Sequence, residues 1–143
     1  MIENNRLNNF IDRLISKTKY NELRWLGLNV HPTFSKKNLW LTANAEASTG
    51  VLGETVVSDS SYFCEYDGGY IYLAVVRTVF VTALGQAGAL ALIVQPTKES
   101  IPGVLYKDGS TDAELSAKIK RLYNLVKSNR ADIDNFVDRF LTD

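Results

Sequence analysis

The stretch Ser61-Tyr-Phe-Cys-Glu-Tyr-Asp-Gly-Gly-Tyr-Ile-Tyr-Leu-Ala-Val-Val76 decides the fold. Two runs rich in aromatic and β-branched residues flank Asp67-Gly68-Gly69, which tolerates the positive φ angles of a tight hairpin turn. With a two-residue loop, a tip at Asp67-Gly68 or at Gly68-Gly69 divides the side chains between the same two faces, because they alternate. One face takes Tyr62, Cys64, Tyr66, Ile71, Leu73 and Val75. The other takes Phe63, Glu65, Tyr72, Ala74 and Val76. The second strand runs on to about Ala83 and is apolar on both sides, so both sides need cover.

Outward from the hairpin, Leu7, Phe10, Ile11, Leu14 and Ile15 recur at helical spacing and predict a helix over about 4–19. Arg6, Asp12, Arg13, Lys17 and Lys19 lie off that stripe. Leu23, Trp25, Leu26 and Leu28 predict a short extended segment that ends at His31-Pro32, since a residue before proline avoids helix. Phe34, Leu39, Trp40 and Leu41 predict a second short apolar piece. Residues 42–53 are small and weakly patterned, a flexible loop or projecting arm. Beyond the hairpin, a turn at Gly85–Gly88 precedes a strand over 89–95 that Pro96 closes.

Val104-Leu105-Tyr106 is a short strand or an apolar loop. Thr111-Asp-Ala-Glu114 has the spacing of a capping box. The helix it opens aligns Leu115, Ile119, Leu122, Tyr123 and Val126. After the interruption at Ser128-Asn129, with Asn129 as cap, a last helix aligns Ile133, Phe136, Val137, Phe140 and Leu141. Residues 1–143 therefore predict a single α+β domain. Its mainly antiparallel sheet is built on the central hairpin, with one N-terminal and two C-terminal helices packed on one face. That packing leaves the second apolar face of the long strand for the Trp25–Trp40 region, the arm or another subunit. A homo-oligomer, most simply a dimer, is the expectation.

Sixteen basic and sixteen acidic residues cancel, which argues against a broad footprint for nucleic acid. A hydrophobic share of 45% is that of a globular chain rather than a disordered one. A lone Cys64 forms no internal disulfide, and the opening Met1–Arg6 has no basic flank followed by an apolar core. Both point to the cytoplasm. Residues 78–94 carry no charge, but the run is short for a membrane span and broken by Gly85–Gly88.

The opening Asn9–Lys19 followed by Leu23-Arg24-Trp25, the hairpin's Gly69–Leu73, and Leu122-Tyr123 late in the chain are similar to short uncharacterised proteins of Gram-positive bacteria and their phages. The resemblance implies a phage or mobile-element context. It carries over no functional residue.

No motif specifies an activity. One His and one Cys cannot build a Cys/His zinc site, and neither phosphate-binding glycine fingerprint occurs. No metal and no cofactor is expected. Asp132, Asp134 and Asp138 lie off the last helix's stripe, the first two near its positive start. Cys64 alternates with Tyr62 and Tyr66, as a small buried hydrophobe does. His31 offers a general base without a visible partner. The basic residues Lys118, Lys120, Arg121, Lys127 and Arg130 suit a solvated helix face better than a phosphate site.

Arg77 is out of place, because alternation puts it with Ile71, Leu73, Val75 and Val79, where an unpaired guanidinium is costly. A carboxylate partner such as Asp59, a bulge that turns it to solvent, or an anionic ligand each resolves this. In an unbroken hairpin Arg77 faces Ser58 or Ser60, so pairing with Asp59 requires a bulge. Trp25 and Trp40 suit core or interface, and stacking of a ligand is the rarer use.

Three readings follow. First is a non-enzymatic interaction protein that docks to a protein partner. Second is a binder of a small anionic, nucleotide-like ligand at a subunit interface, using Arg77, Tyr72 and Trp40. Last is an enzyme using His31.

Overall fold

A computed structural model describes residues 3–31, 54–56, 58–78, 89–108 and 112–142. The hairpin forms as β3 (Tyr62–Tyr66) and β4 (Gly69–Thr78), with Tyr66 opposite Gly69 and a loop of two residues, Asp67 and Gly68. Both adopt positive φ, 50° and 79°, as required by the turn whose twist matches that of the strands. Gly69 is needed for a different reason. A Cβ there would lie 2.3 Å from the Gln95 carbonyl oxygen and 2.5 Å from that of Pro96.

β5 (Ala89–Gln95) and β6 (Gly103–Lys107) continue the antiparallel meander. On the other side β1 (Leu26–Gly27) pairs with β3, so the Trp25 segment does join the sheet. The order is β1-β3-β4-β5-β6, and a short β2 (Glu54–Val56) pairs with the far end of β4, making six strands among the described residues. The arm at 42–53, the Trp40 piece and the Gly85–Gly88 turn lie outside the described residues.

The first strand of the hairpin is interrupted. A 3-10 turn at Ser58–Ser60 separates β2 from β3. Ser61 Oγ accepts from the Val75 backbone N–H at 2.9 Å, filling the gap that the turn leaves beside β4. Arg77 consequently stands opposite Thr55 rather than Ser58 or Ser60. The Asp59 carboxylate accepts from the Asn29 side-chain amide at 3.0 Å.

Side-chain alternation sorts the core into two layers, as the hairpin predicts. Tyr62, Cys64, Ile71 and Leu73 face the helices, joined by Leu90 and Leu92 of β5. Against them lie α1 (Asn4–Lys19), through Leu7, Ile11, Leu14 and Ile15, and α2 (Ala113–Ser128), through Leu115, Ile119, Leu122 and Val126. Full burial of one such aliphatic side chain contributes roughly 1.5–3 kcal/mol. Lys118 ties the two helices together, with Nζ 3.0 Å from Asp12 and 3.4 Å from Glu114. Asp112, not Thr111, caps α2: its side chain accepts from the backbone N–H groups of Glu114 and Leu115. Asn129 closes that helix, its N–H bonded to the Leu125 and Val126 carbonyls.

The second face of the sheet is not left open. Phe63, Tyr70, Tyr72, Ala74, Val76, Ala91 and Ile93 are buried in a second cluster with Leu28 and Val56. Among the described residues, this part of the second face is buried within the chain itself. The uncovered apolar surface is elsewhere. On α3 (Ala131–Thr142) the predicted stripe forms, but Ile133, Phe136, Val137, Phe140 and Leu141 are between 46% and 76% exposed. The start of this last helix meets the sheet where Arg130 bridges to Trp25, while its stripe stays largely exposed. The fold class is α+β, with one N-terminal helix, two C-terminal helices and an antiparallel sheet.

Candidate functional site

His31 follows the 3-10 turn Leu28–Val30, which carries the chain from β1 over the second face of the sheet. Its ring is buried against Phe63, Tyr70 and Tyr72, with centroids 4.7, 4.6 and 5.5 Å away. Gln95 donates from its amide nitrogen to the Ser100 carbonyl at 2.9 Å, which turns its oxygen toward Tyr72. The Tyr72 hydroxyl donates to that oxygen at 2.7 Å, so its single proton is committed. The 3.0 Å contact between Tyr72 Oη and His31 Nε2 is then donated by the imidazole, which places a proton on Nε2. Burial pushes the imidazole down to about 4, well below its ordinary value. Burial also pushes the Tyr72 phenol up, with Tyr70 adding to the effect.

This cluster holds a neutral imidazole in an aromatic enclosure closed by polar partners. A residue so placed cross-links the 28–31 segment to β4 and β5. Cys64 is on the opposite side of the sheet, in the helix-facing layer, so the two residues do not form a nucleophile–base pair. Burial pushes the Cys64 thiol up to about 12.

Tyr72 is fully buried between Phe63 and Ile93 in the sheet register, and its hydroxyl is engaged as above. Arg77 is five residues further along β4, about 17 Å of strand, with its backbone opposite Thr55. Trp40 lies outside the described residues. Trp25 is core: it is fully buried, and its indole N–H donates to Thr18 Oγ1 at 2.9 Å.

One concave feature of the surface lies on α1. Arg6, Phe10, Arg13 and Lys17 follow the i, i+4, i+7, i+11 spacing of a single helical stripe. Between that stripe and the hairpin is a trough of about 360 Å³, with Phe10, Leu14, Leu23 and Ile71 in its floor and half-exposed Tyr66 at its end. A continuation of about 250 Å³ shares Phe10, Tyr66 and Ile71 and runs past Asp67 toward Pro96. Among the described residues Arg6 and Arg13 make no ion pair, and Lys17 meets Glu22 only at 3.9 Å. An apolar floor under a positive rim suits an occupant that is apolar and acidic.

The sequence signal for this trough is the spacing of its three cations around Phe10. By periodicity alone the cations belong to the solvated side of α1, because nothing local says that the hairpin tip rises beside them. Elsewhere, Arg130 stacks over the Tyr62 ring at 5.4 Å and Lys127 over Tyr123 at 5.7 Å. With Lys118 paired, three of the five late basic residues are thus engaged by the fold. No group of three metal-binding side chains occurs among the described residues, and no helix among them is long and apolar enough to cross a membrane. No family model, curated protein or solved structure matches this chain.

Proposed function

We propose that the protein is a non-enzymatic interaction protein that docks to a protein partner through the apolar stripe of α3. A single observation carries this reading: five large apolar side chains on one helix face are exposed, where a monomer buries such a stripe. The charge on the helix describes the partner. By sequence α3 carries Asp132, Asp134 and Asp138 against Arg139, so the complementary surface is an apolar groove with a basic rim. In this reading the protein acts in the cytoplasm, in a phage or mobile-element context.

The test is quantitative affinity capture from the native host, comparing the natural chain with a Phe136→Asp/Phe140→Asp variant. Loss of specific partners from the variant, with its fold intact by circular dichroism, is the expected result. Identical capture by both chains sinks the reading.

A further inference from the structure

We propose that the partner includes a second copy of this chain, whose α3 seats in the trough between α1 and the hairpin, so that two copies exchange last helices. The proposal rests on the interaction reading above and names its occupant.

The donor and acceptor surfaces match in both polarity and sign. On α3, helical geometry runs Asp134 and Asp138 along one edge of the stripe formed by Ile133, Phe136, Val137, Phe140 and Leu141. On α1, Arg6, Arg13 and Lys17 rim a floor made of Phe10, Leu14, Leu23 and Ile71. The acidic pair is four residues apart, and so are Arg13 and Lys17; at 1.5 Å rise per residue each pair spans about 6 Å along its helix. Laid in the trough, the stripe covers the floor while the two carboxylates run beside the two cations. Phe136 and Phe140, at i and i+4, are the natural anchors for such a groove.

Direct pairing of one α3 stripe on another is the simpler geometry, and charge argues against it. Each helix carries three Asp and one Arg by sequence, so two of them bring like charges together. The basic trough reverses that sign. The exchange proposed is reciprocal, each copy's α3 lying in the trough of the same partner, which closes it as a two-fold dimer; one-way transfer from copy to copy would instead give a larger assembly.

Three chains test this by size-exclusion chromatography with light scattering at micromolar concentration. The natural chain is expected to be a dimer. Arg13→Asp/Lys17→Asp and Asp134→Arg/Asp138→Arg change only exposed or half-exposed positions, and each alone is expected to weaken dimerisation at least tenfold while keeping the native circular dichroism spectrum. Mixed in equal amounts, the two variants are expected to regain the dimer, because each helix then meets a trough of opposite charge. A monomeric natural chain overturns the proposal. So does a dimer that survives the α1 substitutions, or a mixture that stays monomeric. The capture experiment on Phe136→Asp/Phe140→Asp reads the interaction function separately, since it scores other partners whatever the subunit count.

Discussion

Tyr72 donates its hydroxyl proton to Gln95 Oε1 at 2.7 Å, and this one bond fixes the protonation of a third residue. His31 Nε2 lies 3.0 Å from the same phenolic oxygen and must be the donor in that contact. Burial favours the neutral form of this imidazole, and that makes stability depend on pH. The folded-state value of about 4 lies below the ordinary 6.5, so between those values the unfolded chain binds more protons. Stability is therefore full above pH 6.5 and falls as the pH drops toward 4. The shift corresponds to roughly 3 kcal/mol at most. Urea unfolding at pH 7, 5 and 4 is expected to show this loss. His31→Gln is expected to be less stable at pH 7 and to have a flatter profile over the same window. Parallel profiles for the two chains would contradict the assignment.

Cys64 is fully buried, and its thiol is pushed up to about 12. Only the thiolate reacts, so a disulfide reagent at pH 8 is expected to label the folded chain no faster than the chain opens. Full labelling in urea and protection in buffer is the expected pair of results. Rapid stoichiometric labelling of the native protein would place the thiol at the surface.

The two hairpin glycines are expected to fail differently. A Cβ at position 69 meets the backbone oxygens of Gln95 and Pro96, which cannot swing aside as a side chain can, so Gly69→Ala is expected to cost about 2 kcal/mol or more. At Gly68 the surrounding space is open and only the φ of 79° is at issue, so Gly68→Ala is expected to cost about 1 kcal/mol. Thermal unfolding of the pair gives the ranking. Equal midpoints would contradict the close approach of β4 to the end of β5.

Replacing Trp25 with Phe keeps most of the apolar volume but removes the donor to Thr18 Oγ1, leaving a buried hydroxyl on α1 to find another partner. The expected destabilisation is about 1–3 kcal/mol. Adding Thr18→Val to Trp25→Phe is expected to recover part of it, because the orphaned hydroxyl is then gone. A double-mutant cycle by urea unfolding measures the coupling, and strict additivity would show that the bond contributes nothing.

The local structure was legible in the sequence wherever a short-range period decided it. The alternation from Tyr62 to Val76 sorted two core layers correctly, since adjacent side chains on a strand cannot choose the same face. Asp67-Gly68-Gly69 marked the turn and left two tips open, and the pairing of Tyr66 with Gly69 placed it at Asp67-Gly68. The stripes of α1, α2 and α3 were likewise set by a 3.6-residue period. What those stripes meet was decided only by the tertiary structure. The same pattern buries Leu122 fully and leaves Phe140 76% exposed, because a period records a face and not its neighbour. The convergence of His31, Tyr72 and Gln95 spans separations of 41 and 23 residues, and no local signal encodes such a meeting. The same holds for the break at Ser58–Ser60, where Ser61 completes β4, and for the trough on α1, whose cations become one wall of a site only when the hairpin rises beside them.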